Sequence, residues 1–359
     1  MINCPIFLSA EIKDSDMNAQ WQAFLESRSA IIGEDGLVRF ENSGTGQTLA
    51  LYDLSHLGLI RLSGEDAADF LQGQVTNDIR ELTPDRCQFN GCCDPKGHLL
   101  ANFWAFRRDG DIFLQLPGNM LPSLLKRLSM FVLRAKVAVT DASDDLVRTG
   151  VAGDEAEALL GSLIPEPPAG PGGVIHTRGL TLVRLPGDRP RFEIIGEAPA
   201  VEKLWEQLSS RAAPTDSACW ALLDIRAGIP TVYPATAGAF IPQMINMQLI
   251  GGVSFQKGCY CGQEIVARTQ HRGTLKRRMY LAHIATDRPP AAGDELFSPS
   301  AEHGKAAGVV VDARPAPEGG CDALVMVQIP CFEADDIHLG DSEAGPKLEF
   351  RDLPYALEG

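Results

Sequence analysis

Between Ser254 and Arg268 the chain reads Ser-Phe-Gln-Lys-Gly-Cys-Tyr-Cys-Gly-Gln-Glu-Ile-Val-Ala-Arg, and no other stretch limits the fold as much. It sets a cation, two thiols, a phenol, an amide and a carboxylate around Gly258 and Gly262. Glycine takes φ > 0 freely and lets a backbone approach closely, so the segment reads as a chemically loaded loop that other elements are built around. Lys257 and Cys259 lie two residues apart, and in extended backbone they share a face. An ammonium so placed favours the thiolate, the form that acts as nucleophile and metal ligand. A small buried cysteine is the structural alternative. The flanking glycines and Glu264 favour a functional thiol, with Cys259 and Lys257 as the catalytic candidates.

Lys257-Gly258-Cys259-Tyr260, one variable residue and then Gly262-Gln263-Glu264 resembles the signature of the YgfZ family, folate-binding proteins related to the aminomethyltransferase of the glycine cleavage system. Other blocks stand in the family's order. They are Gly64-Glu65-Asp66-Ala67, Phe70 to Asp78, Cys93-Asp94-Pro95-Lys96-Gly97, Arg226 to Pro230, Phe240 to Gln243 with Asn246, and Gly251 to Phe255. The resemblance covers most of residues 45 to 355. It implies an α+β protein in a three-domain aminomethyltransferase-like arrangement, with tetrahydrofolate or a one-carbon derivative in a central opening. It also implies help in assembling or repairing iron–sulfur clusters, with client or assembly proteins as partners and an indirect effect on tRNA modification. No metal site is expected.

A pterin needs an apolar or aromatic wall and an acceptor for its polar edge, and the glutamate tail of folate needs cations. Trp220, Gln243, Tyr260, Gln263, Glu264 and Arg268 offer these chemistries and are the cofactor-binding candidates. Two positions depart from the relatives that the resemblance brings in. Leu57 stands where some carry an aromatic residue, and Ala101-Asn102 stands where the transferases have an acidic pair. Neither alanine nor asparagine is a general base at neutral pH, which disfavours aminomethyl transfer. One-carbon transfer and a folate-regulated scaffold are the alternative functions. Cys92-Cys93 with Cys259 and Cys261 suggests a metal or cluster site, but the spacing is not that of Cys-x-x-Cys pairs.

Composition limits the remaining choices. At 359 residues, two or three domains are expected, and 45% apolar with 22% charged residues is ordinary globular content. No apolar run reaches the roughly eighteen residues of a membrane span. Met1 to Glu11 lacks the basic start of an export signal. Nine irregularly spaced cysteines fit reduced thiols in the cytoplasm. A net charge of −15 argues against direct nucleic-acid binding. The exception is a basic run after the signature, Arg268, His271, Arg272, Lys276, Arg277 and Arg278, which reads as a solvated face or as a landing place for an anion.

Periodicity supplies the elements. A helix is expected over 15–29, capped at Asp14-Ser15, followed by strands at 37–40, 48–52 and 56–62. Ser63 is expected to cap a helix ending at Gly73. Strands at 89–93, 99–106 and 112–116 and a helix over 121–132 complete a first unit of residues 1–140 plus 220–275. Residues 141–219 read as a ferredoxin-like unit, with two β-α-β pieces around the Pro165–Gly173 loop. Residues 276–359 read as a small β-barrel of short strands split by turns.

Overall fold

The computed structural model describes residues 17–33, 36–41, 48–273, 275–302 and 305–357. The readings of Met1–Glu11 and of the Asp14-Ser15 cap fall outside them. Within them the first helix is Ala19–Glu26, with Asn18 accepting from the Trp21 amide as its cap.

Three large sheets meet around one cavity. The first holds Gln88–Cys93, Leu99–Arg108, Asp111–Pro117, Leu57–Ser63 and Ala138–Asp141 in that order, all antiparallel. Helix Leu121–Phe131 seals one face with Leu121, Leu124 and Leu128, spaced for a single helical stripe. Helix Ala67–Gln72 begins after Asp66 rather than Ser63, because the chain turns through Gly64 before the first helical residue, and it ends at Gly73 as expected.

The second sheet runs Val174–Thr177, Leu180–Leu185, Arg191–Gly196, Val147–Gly153, Leu49–Asp53 and Ala213–Thr215. Without Leu49–Asp53 and the edge strand Val174–Thr177 its order is that of a ferredoxin-like βαββαβ unit. Leu49–Asp53 slots between Val147–Gly153 and Ala213–Thr215, antiparallel to one and parallel to the other. Helix Ala19–Glu26 and strands Val38–Phe40 and Leu49–Asp53, which the sequence groups with the first unit, thus pack with the second: Trp21 and Leu25 share a core with Leu182, Phe192, Ile194 and Trp205. Fully burying such side chains contributes about 1.5–3 kcal/mol each.

The third sheet runs His338–Leu339, Glu295–Phe297, Gly308–Pro315, Cys321–Gln328, Arg277–Ile284 and Leu348–Arg351. It curls until its edges approach, where His338 pairs with Lys347. Two elements there escape periodicity: helix Ile329–Ala334, and the edge strand at 338–339, which is too short to show alternation. The fold is therefore α+β with a curled C-terminal sheet. No described helix is long and apolar enough to cross a membrane.

Candidate functional site

A cavity of about 270 Å³ lies where the three sheets meet. The two-residue period of strands decides which side chains reach it. In Asp111–Pro117, Ile112, Leu114 and Leu116 enter the first core, whereas Phe113 and Gln115 face the second sheet. In Arg191–Gly196, Phe192 and Ile194 face away, whereas Glu193 and Ile195 face the first sheet. Gln115 and Glu193 therefore meet at the wall of the cavity. Gln115 Nε2 donates to both oxygens of the Glu193 carboxylate, at 2.9 and 2.8 Å. Glu193 is buried, and burial raises its pKa to about 7, with Asp224 adding to the rise and Gln115, Arg191 and Arg148 opposing it. Gln115 Oε1 is buried without a hydrogen-bond partner.

Trp220 forms the adjoining wall and is almost fully buried. Its ring lies against Gly150, where a Cβ would come within 2.6 Å of it, so only a bare backbone leaves the indole its place. Tyr52 sits 5.2 Å from it, ring centre to ring centre, and the Arg191 guanidinium 5.4 Å from the indole. Arg191 also pairs with Asp224 at 2.8 Å. Phe89 and Trp104, with centroids 5.0 Å apart, line the cavity and also an open groove of about 650 Å³ that continues to Ser254, Phe255 and Gln256. Leu57 lines the cavity as well.

The third sheet contributes Arg314, the one lysine or arginine among the lining residues described. Its guanidinium donates to Asp312 at 2.6 Å and to the Tyr233 hydroxyl at 3.0 Å, and that hydroxyl donates to Asp312 at 2.9 Å. Burial raises the Asp312 pKa to about 6 despite Arg314. Asn102 also lines the cavity, but its amide is engaged: Nδ2 donates to the Pro230 carbonyl and Oδ1 accepts from the Val232 amide, at 2.8 and 2.9 Å. It holds the 230–232 loop against the first sheet.

The signature forms a separate surface, and none of its residues from 257 to 268 lines the cavity. Lys257 is buried, and its Nζ donates to the carbonyls of Gln72, Val75 and Asn77 at 2.8, 2.6 and 2.7 Å. Gln72 ends a helix, whose carbonyls carry partial negative charge. Burial lowers the Lys257 pKa to about 8, which keeps it charged at neutral pH with three protons for three carbonyls. None of these protons is left for a thiol. Cys259 is exposed. The shared face expected for the two residues needs extended backbone, and residues 255–257 form a bend instead.

Tyr260 is buried beside Lys257, with Nζ 5.0 Å from its ring centre, and burial raises its pKa. Gly262 takes φ +83°, and a Cβ there would lie 2.4 Å from the Asp94 carbonyl oxygen and 2.8 Å from the Gly97 Cα. The signature loop and the Asp94–Gly97 turn are thus packed backbone to backbone. Gly262→Ala is expected to cost about 2–4 kcal/mol. Gly258→Ala, whose added Cβ meets nothing within 4 Å, should cost under about 1 kcal/mol. Urea midpoints compare the two, and equal losses would contradict the packing argument.

The remaining candidates scatter. Gln243 is buried and donates from Nε2 to the Val266 carbonyl at 2.7 Å, tying its loop to helix Gln263–Arg272. Gln263, Glu264 and Arg268 lie on that helix, and Glu264 and Arg268 form an exposed i,i+4 pair at 2.5 Å; such pairs contribute a few tenths of a kcal/mol. Of the basic run, Arg268, His271, Lys276, Arg277 and Arg278 do not line the cavity. Cys261 lies 3.6 Å from Arg127 Nη2, which also donates to the Cys93 carbonyl at 2.9 Å. Cys92 and Cys93 are buried, and burial raises both thiol pKa values. Among the described residues no set of cysteines is close enough to hold a metal, and His283, Glu318 and Asp322 form the one compact group. Arg226 and Arg351 already occupy its Asp322.

Of the cofactor-binding candidates named from the sequence, Trp220 alone lines the cavity, and the lining residues Gln115, Glu193, Tyr233 and Arg314 are not among them. A usable signal exists for two of them: Gln115 and Glu193 are lone polar residues in otherwise apolar runs, Ile-Phe-Leu-Gln-Leu and Phe-Glu-Ile-Ile.

Residues 32–169 match the model of the GCVT N-terminal domain. The tRNA-modifying protein YgfZ of Sodalis glossinidius (strain morsitans) is 35% identical over 86% of this chain and 94% of its own length. The tRNA-modifying protein YgfZ of Klebsiella pneumoniae (strain 342) is 33% identical over 89% and 97%. The glycine cleavage system aminomethyltransferase T from Bartonella henselae superposes with a TM-score of 0.68 over 93% of this chain and 96% of that one, at 17% identity, a likeness of fold. With 33–35% of the aligned residues identical to these relatives along nearly their whole length, and the Lys257–Glu264 signature in place, the chain belongs to the YgfZ family.

Proposed function

We propose that this protein binds a reduced folate in the central cavity and supports assembly or repair of iron–sulfur clusters in client enzymes, with tRNA modification affected through those clients. The observation that carries the folate reading is the acceptor set at the cavity wall. A pterin presents an amino group and a ring N–H side by side, and a carboxylate accepts two parallel donors. Glu193 provides that carboxylate, and the unpartnered Gln115 Oε1 provides one further acceptor. Trp220, Phe89 and Trp104 supply flat apolar walls. The cavity has room for a bicyclic ring, with the tail lying toward Arg314 or the open groove. Affinity near micromolar fits a site open to solvent between sheets, and calorimetry with tetrahydrofolate tests it; no heat at millimolar ligand removes the reading.

The names of the relatives support the link to tRNA modification, and the signature supports the cluster role. Cys259 is its exposed thiol. In a deletion strain, Cys259→Ser is expected to leave cluster-enzyme activity and thiolated tRNA low, whereas Cys261→Ser restores them. Full rescue by Cys259→Ser would favour the folate-regulated scaffold instead. One-carbon transfer is the weaker reading, because Asn102 is bound to two backbone groups where an acid would act.

A further inference from the structure

We propose that the strip Lys126–Lys136, the end of helix Leu121–Phe131 and the turn after it, docks an acidic segment of a partner protein that carries an apolar side chain and sets it beside the signature. The proposal rests on the reading that partners meet this protein at the Cys259 loop. From Asp111 to Asp141 the sequence holds no acid between those two, yet it holds Lys126, Arg127, Arg134 and Lys136, in a chain of net charge −15. Of the four large apolar side chains that stand exposed among the described residues, three are here: Met130 at 65%, Phe131 at 43% and Leu133 at 88%. Leu133 takes φ +41°, uncommon for so bulky a residue. Lys126 and Arg134 are exposed with no ion-pair partner among the described residues, whereas Lys136 at the far end is paired with Glu65. An apolar centre with a cationic rim is the complement of an apolar knob flanked by acids.

Arg127 connects the strip to the signature. Its guanidinium lies 5.3 Å from the Phe131 ring centre and 3.6 Å from Cys261 Sγ. A segment seated on Phe131 is therefore one side chain away from the loop that carries Cys259.

The choice of occupant follows from charge and size. A second copy docked through the same strip would set cations against cations. A tRNA or an anionic membrane extends beyond the strip and would face the acidic remainder of the surface, where repulsion reaches about one Debye length, 8–10 Å. A short acidic peptide segment covers the strip without meeting that surface.

The test places the photo-crosslinking residue p-benzoylphenylalanine at Met130 or at Leu133 in the full chain, in cells, with exposed Glu349 as the distant control. The crosslinked peptides are then sequenced. Peptides rich in Asp and Glu around an apolar residue are expected, with yield falling about tenfold in the double variant Lys126→Glu, Arg134→Glu. Adducts to lipid, to RNA or to a second copy, acid-poor peptides, or no yield above the control would overturn the proposal. If Cys259→Ser rescues the deletion strain while the crosslinks persist, the thiol reading fails and the docking stands. If the thiol proves essential and the crosslinks are missing, the docking alone is lost.

Discussion

Replacing Lys257 by methionine is expected to lower stability by about 2–4 kcal/mol, because a buried donor shared by three carbonyls is lost. Methionine keeps the stem packed against Tyr260 but leaves the carbonyls of Gln72, Val75 and Asn77 without their donor. An unsatisfied buried group costs about 1–3 kcal/mol. The nearby Cys259→Ser should stay within about 0.5 kcal/mol of the parent, because the thiol is exposed. Urea unfolding of both variants gives the comparison, and a loss under about 1 kcal/mol for Lys257→Met would show that water replaces the ammonium. A structural Lys257 also changes how cellular data are read. A Lys257 variant that fails in a deletion strain reports on the fold before it reports on chemistry, so Cys259 is the cleaner probe of function.

Glu193→Gln is expected to weaken tetrahydrofolate binding about 30- to 100-fold, the loss of one charge-assisted hydrogen-bond pair of roughly 2–3 kcal/mol. The wild-type protein should also bind with a pH dependence that the variant lacks. Burial raises the Glu193 pKa to about 7, and donors on the ligand require the carboxylate. Below that pH the carboxyl must lose a proton before it binds, so affinity falls about tenfold for each unit of acidification, and above it affinity is flat. Stability of the free protein has the opposite sign. An acid whose pKa rises on folding stabilises the fold at pH values below its unfolded pKa of 4.5, and that contribution is lost as pH rises through about 7. Calorimetry from pH 6 to 8.5 on both proteins decides the matter. A wild-type affinity that does not change across that range would remove Glu193 from the contact.

The sequence makes the strands and helices legible where a single rule acts. Apolar runs bounded by turns mark Leu99–Arg108 and Asp111–Pro117, which are buried on both faces, and helical spacing marks Leu121–Phe131, which buries one. What stays hidden depends on elements far apart in the chain. The role of Lys257 requires knowing that a helix ends at Gln72 within reach of it. The Gln115–Glu193 contact joins two strands 78 residues apart, each of which reads alone as an ordinary apolar run with one polar residue. Trp220 is legible as an aromatic wall, whereas its neighbour Gly150 gains meaning only when the indole is seen lying on it. The polar density of the signature singles out the loop, but it does not separate the buried cation from the exposed thiol two residues on.

The placement of Leu49–Asp53 affects how the chain reaches this state. Edge strand Ala213–Thr215 has Leu49–Asp53 as its one neighbour in the sheet, and that neighbour leaves the ribosome long before it. The early strand must wait for Val147–Gly153 and then hold its other edge open until residue 215 has been synthesised. Contacts this distant slow folding, because loop closure comes before the reward of pairing. An unpaired edge that persists through translation is also a template for association with other chains. The second sheet therefore closes only after residue 215 has left the ribosome, with the whole of the first sheet synthesised in between, and its open edge lasts from the pairing of Leu49–Asp53 with Val147–Gly153 until then.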